Sequence, residues 1–126
     1  MVATTRRNPG RNQPGRPAGF TLSGGTQSVE ELVKGLKRGV LITRMWYLRW
    51  VDRQTMLVTG LTRDGTFLIE NGAIAGPVNN FRFNESPIRM LAKCDGLGAT
   101  AIPTGAMRVP VLRTHDFDLA SVSEAV

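Results

Sequence analysis

The clearest helical periodicity in the 126-residue chain lies near residue 30, where Val29, Leu32, Val33 and Leu36 recur at i, i+3, i+4 and i+7 and so share one face. Ser28 and Glu31 stand in front of that face at capping-box spacing, each able to satisfy a free backbone N–H of the other. Glu30 and Glu31 lie at the positive end of the helix dipole, and Lys34, Lys37 and Arg38 at the negative end. Gly39 is placed to end the element. The pattern predicts a helix over about 28–38.

From Val40 to Val51 the period shortens to two. Strict alternation would put Val40, Ile42, Trp46, Leu48 and Trp50 on one side and Leu41, Met45 and Tyr47 on the other. Both faces are then apolar, which predicts an internal strand. Runs from Met56 to Thr62, Thr66 to Glu70 and Ala73 to Val78 are separated by Asp64-Gly65 and Asn71-Gly72, dipeptides that tolerate positive φ and favour tight hairpin turns. Two hairpins in series would make a meander, with Phe81 and Phe83 extending its last strand beyond Pro77. Ser86-Pro87 supplies a cap and a first-turn proline, and Ile88, Leu91 and Ala92 a short apolar face, so a second helix is predicted over about 87–93, ended by Asp95-Gly96. Further strands fit Ala99 to Ile102 and Met107 to Leu112. Pro110 points to an edge or bulge in the latter, and His115 to Leu119 could continue it.

The sum is an α+β fold of mostly antiparallel β-sheet with one clear and one short helix. At this length there is room for one domain. Residues 1–23 read as an irregular basic lead-in, because Pro9, Pro14 and Pro17 oppose helix and glycines loosen the backbone; Phe20 and Leu22 are its first apolar anchors. Residues 24–121 form the domain proper, and 122–126 a frayed tail. No apolar run approaches the roughly 20 residues needed to span a bilayer, and no apolar stretch follows Arg6 and Arg7 as in an export signal. A cytoplasmic location is the expectation.

Charge changes the picture less than its total suggests. The net charge is +6, yet Arg6, Arg7, Arg11 and Arg16 all precede the first acidic residue, Glu30. The other twelve basic residues face ten acidic ones. A basic arm can contact phosphate, but an Arg/Gly/Pro/Asn stretch is more often a solvated segment.

Candidate chemistry is sparse. His115 is the single histidine, which excludes a two-histidine zinc motif, and Cys94 is the single cysteine, which excludes an internal disulfide. A Cys94–His115 nucleophile pair would need the fold to join residues far apart in sequence, and a structural cysteine is the simpler reading. Glu30 and Glu31 cap a helix and do not form a catalytic pair. Gly60, Gly65, Gly72 and Gly76 punctuate strands and match no phosphate loop. Trp46, Tyr47 and Trp50, interleaved with Arg44 and Arg49, fit a base-stacking platform, although alternating core residues with snorkelling arginines are the commoner outcome.

The stretch 38–47, followed by 57–72 and by 76–84, resembles the C-terminal domain of the TldD/PmbA family, proteins once called modulators of DNA gyrase and regarded as metallopeptidases. Ser28 to Leu36 resembles the helix that opens this segment, and Val109 to Phe117 its closing strand. The resemblance implies proteolysis of unfolded peptides by a dimeric, zinc-dependent assembly. It also implies that zinc is held by an HExxxH helix lying before this segment and by a later Cys-Gly-Lys sequence. This chain has no counterpart of that helix, and Cys94-Asp95-Gly96 does not match. The expectation is therefore a non-catalytic, TldE-like C-terminal domain or fragment that forms cavity wall and subunit interface beside a catalytic subunit. No catalytic, cofactor-binding or metal residue is expected in this chain, and no cofactor of its own. The rival expectation is a small basic nucleic-acid-binding β module.

Overall fold

The structure, a computed structural model, describes residues 2–5, 17–104 and 107–122. In chain order the elements are β1 (Val2–Thr5), β2 (Pro17–Thr21), α1 (Val29–Lys34), β3 (Arg38–Asp52), β4 (Leu57–Glu70), β5 (Ala73–Pro77), β6 (Phe81–Glu85), α2 (Pro87–Ala92), β7 (Cys94–Thr104), β8 (Met107–Thr114) and β9 (Leu119–Val122). They build two sheets, one ordered β1-β2-β8-β7 and the other β3-β4-β6-β9 with β5 on the flank of β4. All pairings are antiparallel except β2 with β8. The architecture is the expected α+β fold. The lead-in is more regular than its prolines suggested, since β1 and β2 pair with each other; Pro9 and Pro14 lie outside the described residues.

The capping box at Ser28 forms as the spacing required. The Ser28 hydroxyl accepts from the Glu31 N–H at 3.1 Å, and the Glu31 carboxylate accepts from the Ser28 N–H at 2.7 Å. The helix stops at Gly35 and not Gly39. Its exit is fixed by the turn after β4, whose Asn71 and Gly72 N–H groups donate to the Lys37 and Leu36 carbonyls at 2.7 and 2.8 Å. Those carbonyls are claimed by a sheet turn, so Lys37 and Arg38 leave the helix. The turn itself has the geometry its sequence demands, with φ of 50° at Asn71 and 76° at Gly72.

Asp64-Gly65 does not reverse the chain. β4 runs through it unbroken, and its positive φ values, 57° and 124°, open a bulge opposite Ile42 and Arg44. The Thr43 hydroxyl fastens the bulge by donating to the carbonyls of Asp64 and Gly65 at 3.0 and 2.8 Å. The reversal between β3 and β4 falls at 53–56, where the Asp52 carboxylate accepts from the Gln54 N–H and the Thr55 hydroxyl. Phe81 and Phe83 belong to a separate strand on the far flank of β4, and do not extend β5. Asp95-Gly96 lies inside β7, so the short helix ends earlier, at Lys93.

β8 is flanked by β7 and β2, but β2 reaches only Met107 and Arg108, so Pro110 sits beyond the end of that ladder, where its missing N–H costs nothing. The segment after Thr114 does not prolong β8. It bends at Asp116, φ 47°, and crosses to the other sheet as β9 beside β6. Of the frayed tail, Val122 is the last residue of β9, and 123–126 lie outside the described residues.

Among the described residues Leu32, Val33, Ile69 and Phe83 form the buried apolar core, which lies between α1, β4 and β6. β3 is not internal. Among the described residues it pairs only with β4, and residues 43–51 are exposed throughout. A second bulge, between Trp46 and Arg49 with φ 58° at Tyr47, breaks the alternation expected along it. Trp46 lies opposite Leu61 and Trp50 opposite Val58, three residues apart on β4, so the two indoles occupy opposite faces.

Candidate functional site

A cleft of about 620 Å³ opens between α1, β3 and β8. Its floor is apolar, from Leu32, Leu36, Ile42, Ile69 and Val111, and one wall is the strand Gly39 to Ile42. β3 is a sheet edge, so its outward backbone N–H and C=O groups face away from β4 toward open space.

The polar rim is a cluster on β7 and β8. Arg113 donates to the two Asp95 carboxylate oxygens at 2.8 and 3.1 Å and, through its other terminal nitrogen, to the Leu32 carbonyl of α1 at 3.1 Å. One guanidinium thus ties the helix to the sheet. His115 Nε2 lies 2.5 Å from the second Asp95 oxygen. Bonds from Arg113, and then from His115, hold the Asp95 carboxyl down at about 2. The same carboxylate raises Arg113 further.

A second charged group sits under α2. Glu85 is 2% exposed and accepts from Lys93 Nζ at 2.8 Å and from the Ser86 N–H at 2.9 Å. Burial works to raise its carboxyl, but the Lys93 ammonium and the backbone donors of Ser86 and Asp118 outweigh it and leave the net shift downward. Lys93 also donates to the Asp116 carbonyl, so this pair pins the bend that carries the chain from β8 to β9. The expected Ser86 side-chain cap does not form; its hydroxyl is buried without a partner among the described residues. Ile88 and Leu91, read as the buried face of α2, are exposed, and Met90 turns inward instead.

The fold does bring Cys94 and His115 near each other, with Cys94 on β7 paired to Thr114 at the end of β8 and His115 the next residue. It does not make them a catalytic pair. The thiol points to the Gly96 carbonyl at 3.4 Å, and the imidazole is committed to Asp95. Nor does this cluster suit zinc. Asp95 is saturated by a bidentate arginine, and a guanidinium beside the donors would repel a cation. Among the described residues no three His, Cys, Asp or Glu side chains gather at ligand distance. Asp95, Arg113, Glu85 and Lys93 carried no signature at short sequence range. One clue existed for Glu85: it shares the parity of Phe81 and Phe83, which places a carboxylate on the inward face of its strand.

The aromatic residues divide between two surfaces. On one face of the β3–β4–β6 sheet, Met45, Leu48, Trp50 and Val58 border an open groove of about 340 Å³ with Phe83 and Met90. Leu48 is 58% and Trp50 52% exposed. On the other face Arg44 lies 4.5 Å and Arg63 5.8 Å from the centre of the Trp46 ring.

A two-sheet α+β domain with an apolar cleft, an uncovered edge strand and no assembled catalytic or metal centre among the described residues is a module, and the comparisons with known proteins say which. Residues 3–121 match the PmbA/TldA metallopeptidase C-terminal domain, and the chain belongs to that family. Its fold is shared with a protein from Thermotoga maritima described as a candidate DNA gyrase modulator, at 24% identity and a TM-score of 0.74, over 86% of this chain and 25% of the other. It is also shared with TldE from Thermococcus kodakarensis, at 17% identity and a TM-score of 0.66, over 96% and 27%. The chain spans about a quarter of the length of these two proteins. No curated protein matches it. No helix is long and apolar enough to cross a membrane among the described residues.

Proposed function

We propose that this chain is a non-catalytic, TldE-like domain of a zinc-dependent peptidase assembly, forming part of the wall around the peptide and an interface with a catalytic subunit. The observation that carries the reading is the distal half of β3. Met45, Leu48, Trp50 and Val51 stand exposed on a strand with no outer neighbour among the described residues, in a family whose fold relatives are about four times as long. Isolated domains rarely leave such a surface without a partner.

The uncovered edge of β3 beside the cleft supplies the second element. An extended peptide can add to such an edge through main-chain hydrogen bonds alone, which gives affinity with little dependence on sequence. Zinc and the water it activates would come from the partner, since the residues here suit neither.

The test is to mix the purified chain with a family member that carries the zinc helix, then follow sedimentation and peptide hydrolysis. The reading requires a complex that is lost when Leu48 and Trp50 are changed to Glu. A chain that stays monomeric beside that partner, and leaves its hydrolysis unchanged, contradicts it.

A further inference from the structure

The face of the β3–β4–β6 sheet opposite the apolar groove has a different composition. Antiparallel partners share a face, so register places Trp46, Leu61, Arg82 and Ser121 in one row across four strands. The row to one side pairs Arg44 with Arg63, and the row to the other sets Arg49 beside Thr59 and Asn84. Three arginines, Arg44, Arg63 and Arg82, therefore stand on one sheet face within a few strand spacings of about 4.8 Å, while Arg49, beside them by register, also lines the groove of the opposite face. Asp64, at the bulge, is the one carboxylate that reaches them among the described residues, bonding Arg44 at 2.5 Å and approaching Arg63 at 3.7 Å.

Like charges directly opposite one another destabilise a sheet, so Arg44 facing Arg63 is a cost that folding does not require. What offsets it locally is aromatic. Both guanidiniums lie over the Trp46 indole, and Arg49 lies 5.2 Å from the centre of the Tyr47 ring. The indole is 40% and the phenol 61% exposed. The result is a solvent-facing stack of planar groups, indole and guanidinium, flanked by cations and by the short polar side chains of Thr59, Asn84 and Ser121.

We propose that this face binds single-stranded nucleic acid. Unpaired bases stack on aromatic rings and on guanidinium planes alike, while the phosphates between them take the arginines that stacking leaves free. An acidic protein surface would satisfy the charges but would have no use for an exposed, arginine-flanked indole. A single strand uses both. The inference does not depend on the peptidase reading, because Leu48 and Trp50 lie on the other face.

Fluorescence anisotropy of the full chain with labelled 12-mers of uridine and thymidine tests it, across a salt series. Binding should weaken linearly with the logarithm of salt. Arg82→Gln should make that slope shallower by about 0.7, the share of one phosphate contact on a single strand. Trp46→Ala should weaken binding about tenfold with the slope retained, and Trp46→Phe should restore most of it. Trp50→Ala, the same residue type on the opposite face, should bind as the parent does. The proposal is overturned if no oligonucleotide binds at 50 mM salt, if polyglutamate of equal charge competes as well as oligonucleotide, or if binding is unmoved by the Arg82 and Trp46 changes and lost only when Arg6, Arg7, Arg11 and Arg16 become Ser.

Discussion

The two halves of β3 have almost the same apolar content and opposite fates. Residues 39–42 are half-buried against the cleft beside α1, whereas residues 43–51 are exposed on both faces of the strand. The difference lies in what packs against them. α1 lines the cleft beside the first half, and its end is tied to the β4–β5 turn. Among the described residues the second half has β4 on one flank and, beyond it, only β6 and β9. Apolar pattern along a strand thus reports a capacity for burial, and the chain's other elements decide whether that capacity is used within the molecule or left for a partner.

The largest expected effect separates the halves directly. Ile69, 2% exposed behind the buried half, should lose about 2–5 kcal/mol on change to Ala. Leu48→Ala in the exposed half should lose less than about 1 kcal/mol. Urea unfolding of the two variants checks the pair, and equal losses would erase the distinction. Next comes the seam between the faces. A Cβ on Gly60 would lie 2.6 Å from the buried Phe83 ring and 2.8 Å from Leu48, so Gly60→Ala should cost about 1–3 kcal/mol by overpacking. Leu48 can swing aside but Phe83 cannot, and a Gly60→Ala, Phe83→Leu double variant should recover part of the loss.

Acid provides a smaller test at the α1 end. Asp95 titrates at about 2 when folded and near 3.8 otherwise, so its contribution is present above pH 4 and is lost as pH falls toward 2. The carboxylate is 37% exposed, which limits the effect to less than about 1 kcal/mol. Stability of Asp95→Asn should accordingly vary less over that range than that of the parent; identical pH profiles would show that the Arg113 bridge does not stabilise the helix–sheet junction. The smallest effect is at Ser86. Its buried hydroxyl has no partner among the described residues, so Ser86→Ala should leave the stability read from thermal unfolding unchanged or raise it by no more than about 1 kcal/mol.

Much of this fold is readable from local chemistry, and the exceptions share a cause. Ser28 with Glu31, Asn71 with Gly72, and Pro87 at the start of the second helix each act through neighbours in sequence, and each does what its spacing implies. Asp64-Gly65 has the same positive-φ preference, but a long antiparallel partner passes alongside it, so the preference opens a bulge in place of a turn. The Trp46–Arg49 bulge is of the same kind, and it sends two tryptophans four residues apart to opposite faces. The Asp95–Arg113–His115 cluster was out of reach for a related reason. Asp95 lies on β7, whereas Arg113 lies on β8 and His115 just past its end, and nothing in the sequence of either segment announces the pairing. The family resemblance, by contrast, rests on long ordered segments within residues 24–121, and the family match itself runs over residues 3–121.

The chain belongs to the PmbA/TldA metallopeptidase C-terminal domain family, and we propose that it does not cut a peptide on its own. Incubating the homogeneous 126-residue protein with unfolded casein and short fluorogenic peptides, with and without added zinc, tests it most directly. No cleavage above buffer is expected in either condition. Cleavage that a chelator abolishes and zinc restores would contradict it.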